Sequence, residues 1–369
     1  MEIVEHISEF IKLTAFTNMT VLHFIMIAVG LLLIFLAITR ELEPMLLIPI
    51  GFGIIIGNII FTTDFRTPLN PELLYIIYPS LIFLGIGAMT DFSSLISNPK
   101  LILIGVATQL GIFTAYCLAL FFGSSPTEAG AISIIGAADG PTAIFLASEL
   151  APDLLSAIVL SAYAYMALAI VIQPAIMKLL TSKKERVMRM KPPRTVSKTE
   201  KIIFALAGLL LTALIVPNSL PLLGMLFFGN MLKESGVTKR LADTVKGPVL
   251  DITTILIGLT VGASAQATTF LTMKSLTIFI LGIVSFIVAT TLGVLFVKFL
   301  NLFLKEGNKI NPLIGGAGLA ALPGSARVAQ IAGMRYDKTN HLLTHATGPN
   351  IAGLIGSAIA AGLLLSFLG

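Results

Sequence analysis

An all-α polytopic membrane protein, built as two inverted repeats with broken hairpins between their crossings, is the fold class this sequence predicts. Three observations carry that prediction. Charged residues make up 12% of the 369-residue chain against 56% hydrophobic, about half the charged share of a soluble domain. Apolar runs recur along the whole chain, many close to the roughly 20 residues that a helix needs to cross a bilayer. The runs also fall into two matching sets separated by one polar break.

The first set occupies residues 21–38, 45–62, 73–90, 101–122, 127–150 and 154–180, and the second 202–216, 219–233, 249–265, 275–300, 311–334 and 341–368. Pro49 is followed by Gly57-Asn58, and 172 residues on Pro221 is followed by Gly229-Asn230 at the same spacing. Lys100 opens the fourth run and Lys274 its counterpart. Pro141 in SIIGAADGPTAIFLA lies over Pro323 in GGAGLAALPGSARVA, 182 residues away. Spacing preserved in this way marks an internal duplication, the organisation of many secondary transporters. Repeats of 1–180 and 201–369 therefore flank a linker, 181–200.

The break from Lys178 to Lys201 holds nine Lys or Arg against two Glu, and a basic excess in a short loop marks the cytoplasmic side. The fifth run of each half is rich in Gly, Ala and Pro and carries a charge, unlike a lipid-facing helix. With both fifth runs as re-entrant or broken hairpins, five crossings remain per half and 20 of the 24 basic residues fall on the cytoplasmic side. Lys12, Arg66 and Lys274 are then outside, and Arg327 stands apart within the membrane. An odd number of crossings inverts the second half and brings the hairpins together near the midplane. Irregular backbone is tolerated there only where it is buried or lines a cavity. The acidic start MEIVEHISEF lacks the basic opening of a cleaved signal peptide, so the first run is expected to be retained. A multi-pass protein of the cell (cytoplasmic) membrane, in contact with lipid and with its linker in the cytoplasm, is the expectation.

Charge within the apolar runs picks out candidate chemistry. Asp139 lies in IIGAADGPTAIF, where a carboxylate costs roughly 2.5 to 3.5 kcal/mol on insertion scales and so calls for a partner, a cation or a proton. Gly140, Pro141 and Thr142 follow it and break the helix, freeing backbone groups suited to a hard cation such as Na⁺. A helix-capping aspartate is the plainer alternative; the apolar surroundings favour ion coordination. Arg327 in ALPGSARVAQ occupies the matching element of the second half. Its planar fork suits a carboxylate, and Pro323 and Ser325 belong to the bend that precedes it. A salt bridge to Asp139 is the competing reading. Asn311 and Asn350 each adjoin a proline; their amide oxygens can bind Na⁺ without adding charge, or equally cap a helix. Asn58 and Asn230 read as bonds between helices. Tyr163 and Tyr165, in SAYAYMALAIVIQP, offer a phenol for proton passage or for packing. Cys117, the only cysteine, reads as a buried small hydrophobe, and His345 as a core histidine.

Several classes are excluded. One cysteine rules out a disulfide framework or a cysteine-ligated cluster within one chain. No GxxxxGK[ST] loop is present to hydrolyse nucleotides, and no HExxH metal motif. The net charge of +5 sits in short loops between apolar runs, which reads as topology and argues against nucleic acid as a partner.

The segments GAADGPTAIFLASELAP, SAYAYMALAIVIQP, VSKTEKI, PLLGMLFFGN, NPLIGGAGLAALPGSARVAQ and HATGPNIAGLIGSAIAAG together closely resemble the beta subunit of the sodium-pumping, biotin-dependent decarboxylases. The resemblance runs from about Met45 to the C-terminus. It implies a carboxybiotin decarboxylase that consumes a proton and exports Na⁺. It also implies a carboxyltransferase alpha subunit, a biotin carrier protein that presents the carboxybiotin, a small gamma or delta membrane subunit and a homo-oligomeric assembly. Asp139 matches the family's sodium-binding aspartate, Tyr165 its proton-linked tyrosine, and Asn350 a further sodium ligand. Asn311, Gly315 and Arg327 fall on other functional positions. Ala320 departs from a serine frequent in relatives, with Ser325 as a substitute. The competing reading is a sodium-coupled organic-anion transporter with no enzymatic step.

Overall fold

The computed structural model describes residues 19–40, 43–59, 71–321 and 323–369. Lys12, Arg66 and the tail of the second run, 60–62, lie outside the described residues. Every regular element among those described is helical. The first half contains α1 (Val21–Arg40), α2 (Pro44–Gly57), α3 (Pro71–Met89), α4 (Lys100–Phe121), α5 (Pro126–Ser133), α6 (Gly140–Leu150) and α7 (Leu155–Leu180). The second contains α8 (Lys198–Ile215), α9 (Leu220–Glu234), α10 (Leu250–Ser264), α11 (Met273–Phe303), α12 (Gly324–Met334) and α13 (Leu343–Leu368).

Six described helical stretches are long and apolar enough to cross a bilayer, namely α1, α4, α11, α13 and the stretches that contain α7 and α10. Phe24, Leu31, Phe35 and Ile38 on α1 are exposed, although such side chains are normally buried in water. An apolar outer surface of this kind is what a lipid solvent requires. Cys117, expected to be buried, is exposed on α4. A bilayer-facing position selects apolar residues as strongly as the core does, so hydropathy did not separate the two.

The halves interlock. Helix α2 of the first half lies against α10 of the second, where a Cβ at Gly57 would stand 2.3 Å from the Ala263 carbonyl oxygen. Helix α9 of the second half lies against α3 of the first, where a Cβ at Gly229 would stand 2.0 Å from the Leu84 carbonyl oxygen. The asparagine after each glycine secures the contact. Asn58 donates to the Ala265 carbonyl at 2.9 Å and accepts from the Ala267 amide at 2.8 Å, and Asn230 donates to the Thr90 carbonyl at 2.9 Å. Small residues let the backbones approach and the amides bond them, as expected between membrane helices.

Polar contacts define two faces. On the linker face Lys298 donates to the Leu180 carbonyl at 3.0 Å, Lys201 pairs with Asp91 at 3.0 Å and Arg189 with Asp337 at 2.9 Å. On the opposite face Lys274 meets Glu128 at 2.5 Å and Asn218 donates to Ser366 at 3.1 Å.

Each hairpin leaves by the face it entered. The first runs through α5, a 3₁₀ turn at Ile134–Ala137 and α6. Its two limbs meet on the opposite face, where Gly130 abuts both Leu150 and Leu368 at the end of α13. A capping box of Ser125 and Glu128, with Pro126 at the first helical position, starts α5. The second hairpin runs through a 3₁₀ segment, Pro312–Gly318, and α12. Its start, at Asn311, and its end, at Asn340, both bond to the Met188 carbonyl of the linker, at 2.8 and 3.1 Å. The hairpin tips touch: the Ala320 amide donates to the Ala137 carbonyl at 3.0 Å.

Candidate functional site

The chain turns sharply before Asp139. Ala138 adopts the left-handed conformation at φ 53°, a rare state for a residue with a Cβ. Asp139 is then extended and caps α6. Its carboxylate accepts from the Thr142 amide at 3.3 Å and from the Thr142 hydroxyl at 2.6 Å, and takes a further hydrogen bond from Ser357 on α13. Asp139 is 2% exposed, and Thr142 and Ser357 are fully buried. No ion pair reaches Asp139 among the described residues. The capping role and a cation-binding role are therefore compatible. A hydroxyl that donates to an empty carboxylate can turn its proton away and offer a lone pair to a bound ion.

Asn350 stands two turns before Ser357 on α13. Its amide nitrogen donates to the Leu319 carbonyl at 2.6 Å and the Ala321 carbonyl at 3.4 Å, at the tip of the second hairpin. Its amide oxygen is buried and has no hydrogen-bond partner, the state of a group that awaits a donor or a cation. Gln173 on α7 repeats this pattern, with its nitrogen on the Gly316 carbonyl at 2.9 Å and on the Ser325 hydroxyl at 3.4 Å, and its oxygen unpaired.

Other sequence candidates sit elsewhere. Asn311 caps the Pro312–Gly318 segment through the Leu313 amide at 3.0 Å, and its nitrogen holds the Arg186 and Met188 carbonyls. That puts it at the root of the second hairpin, engaged as a cap and as a tie to the linker. Gly315 is a contact point: a Cβ there would lie 2.3 Å from the Gly293 carbonyl oxygen of α11. Pro141 occupies the first turn of α6, and Pro323 directly precedes α12. Ser325 is buried beside Gln173. Tyr165 donates its hydroxyl to the Phe279 carbonyl, and its ring packs against Phe279 and Phe286. Tyr163 is the tyrosine beside Asp139: its ring lies on Gly140.

Arg327 is exposed on α12 and makes no bridge to Asp139. The carboxylate that bears on it is Glu43, whose Oε1 would lie 3.7 Å from a Cβ at Gly324. His345 is half-buried in place of the core position expected for it. It lines a cavity of about 250 Å³ on the linker face with Lys100, Lys191 and Lys309. The sequence reading did not mark Ser357 or Gln173 as site residues. A serine in IAGLIGSAIAAG reads as one more small packing residue, whereas Gln173, uncharged yet within an apolar run, left a usable signal.

A sealed carboxylate ringed by hydroxyl and amide oxygens, where two broken helices meet inside a polytopic bundle, defines an ion-transporting membrane protein. The chain belongs to the family of Na⁺-transporting oxaloacetate decarboxylase beta subunits, whose model matches residues 22–368. It is 47% identical to a methylmalonyl-CoA decarboxylase subunit beta of Propionigenium modestum, over 98% of this chain and 99% of that one. A glutaconyl-CoA decarboxylase subunit beta of Acidaminococcus fermentans is 46% identical, over 94% of this chain and 93% of the relative. The oxaloacetate decarboxylase beta chain of Klebsiella pneumoniae is 44% identical, over 93% and 94%. Relatives named for three different acids thus stand at nearly equal identity.

Proposed function

We propose that this chain decarboxylates carboxybiotin, presented at the linker face by a separate biotin carrier, and couples the reaction to export of Na⁺. The observation that carries the reading is Asp139: an acid sealed at the meeting of two hairpins, bonded by Thr142 and Ser357 and by no basic side chain among the described residues. In this reading Na⁺ is held by Asp139, with oxygens from Thr142, Ser357 and Asn350 around it. Oxygen ligands and one negative charge suit a hard monovalent cation.

Arg327, exposed on the hairpin that opens to the linker face, receives the carboxylate of carboxybiotin through its planar fork. Decarboxylation breaks the bond between the ureido nitrogen and the carboxyl carbon. CO₂ leaves, and the nitrogen keeps the electron pair and takes up one proton. Loss of the anion removes the charge that Arg327 had paired, which shifts the balance between the hairpins and releases Na⁺ from Asp139. The proton enters from the opposite face, on the side where Tyr165 meets Phe279. The basic linker is cytoplasmic, the two halves are inverted repeats, and the chain works beside a carboxyltransferase subunit and a small membrane subunit in a homo-oligomeric complex. Names of decarboxylase subunits among the relatives favour this reading over an organic-anion symporter.

The test is reconstitution of the complex in liposomes with Asp139→Asn. Substrate-driven ²²Na⁺ uptake is expected to fall to background while the helical content is kept. Undiminished uptake would overturn the proposal.

A further inference from the structure

A tyrosine is laid across the pair Asp139-Gly140. A Cβ at Gly140 would stand 2.2 Å from Cε1, 2.5 Å from Cζ and 2.9 Å from Cδ1 of Tyr163. The hydroxyl-bearing end of the ring therefore rests on the backbone next to Asp139, and only glycine leaves it room. Tyr163 is 2% exposed, and its hydroxyl has no hydrogen-bond partner. Asp139 is the charge acting on it. Buried hydroxyls normally find a partner, so one held unpaired beside an ion-binding acid needs an explanation. Tyr165, two residues on, is already engaged with the Phe279 carbonyl on α11.

We propose that Tyr163 is a positioning and selectivity residue of the cation site. Its neutral phenol oxygen joins the shell around Na⁺ when the ion binds beside Asp139, and is left without a partner when the ion departs. The proposal rests on the cation-site reading of Asp139. A phenol moves as a rigid ring, and Gly140 fixes where that ring lies, so the oxygen sits at a set distance from the carboxylate. Cation selectivity follows from cavity size, ligand number and ligand rigidity. A rigid ligand favours one ionic radius, whereas the flexible hydroxyls of Thr142 and Ser357 adapt to several.

The experiment measures the Na⁺ and Li⁺ dependence of decarboxylation by the assembled complex carrying Tyr163→Phe, with ²²Na⁺ binding to the purified full-length chain as a second readout. Loss of one oxygen to a cation is expected to raise the Na⁺ half-saturation by about tenfold. It is also expected to narrow the preference for Na⁺ over Li⁺, with the rate at saturating Na⁺ and the thermal midpoint retained. A merely structural tyrosine would lower the midpoint and leave the ion ratio unchanged, which overturns the proposal. Asp139→Asn separates this from the reading beneath it. If that variant loses ²²Na⁺ binding while Tyr163→Phe keeps both half-saturation and ion ratio, the tyrosine proposal alone falls. If Asp139→Asn keeps ²²Na⁺ binding, the cation site itself falls.

Discussion

The two hairpins share a plan and differ in where each puts its charge. Both pair a 3₁₀ segment with an 11-residue helix and meet the other at the tip. The first folds its acid inward, and Asp139 is enclosed by Thr142, Ser357 and the Tyr163 ring. The second turns its base outward, and Arg327 is exposed on the limb that returns to the linker. An ion that must be carried needs enclosure, because a carboxylate binds a cation more strongly where water is excluded. A carboxylate brought by another protein needs access. One backbone design thus serves two solvents, and the residue at the break decides which.

Four substitutions break or sharpen that contrast, beyond Asp139→Asn. The largest effect belongs to Arg327→Ala, which removes a charged bidentate partner. Decarboxylation of free carboxybiotin is expected to fall by roughly 100-fold, while ²²Na⁺ binding to the purified chain persists. Arg327→Lys restores the charge without the fork and is expected to recover only part of the rate.

Gly315→Ala tests the framework that holds the second tip, since its methyl would stand 2.3 Å from the Gly293 carbonyl oxygen. A backbone atom cannot turn aside, so overpacking of about 1 to 3 kcal/mol is expected, read as a lower thermal midpoint in detergent. Asn311→Ala removes a cap and two ties to the linker, for about 1 to 2 kcal/mol. Faster trypsin cleavage at Arg186 and Arg189 measures it, with the Na⁺ half-saturation unchanged if Asn311 is a cap and raised if it is a ligand.

The smallest effect lies at Asp337, on the surface. Hydrogen bonds from Thr339, and then the Arg189 guanidinium, hold its carboxyl down at about 2. A depressed carboxyl stabilises the fold above its ordinary value, near 3.9, and loses that contribution as pH falls through the lowered one. The midpoint difference between wild type and Asp337→Asn is therefore expected to stay constant from pH 8 to about 5 and to close between about pH 4 and 2.

Much of this was legible in the residues themselves. Gly and Pro at 136–141 and 315–324 announced broken helices, and Asp139 stood out because a charge in an apolar run is expensive. The paired Gly-Asn dipeptides announced the helix contacts that Asn58 and Asn230 make. What stayed hidden depends on a second element. Tyr163 and Tyr165 point to different sides of one helix, and the choice between them rests on which lies over Gly140. Ser357 gains its role from a hairpin more than 200 residues earlier in the sequence. Cys117 was misplaced because lipid and protein core ask for the same composition.

The exchange of helices between halves has a consequence for how the molecule is made. Because α2 closes on α10 and α9 closes on α3, the first half leaves the ribosome with a glycine-lined groove on each of two helices and nothing yet to fill it. Completion waits for the last third of the chain. Once closed, the clasp no longer depends on chain continuity: a single cut at Pro192-Pro193 would leave two fragments, each still gripping a helix of the other.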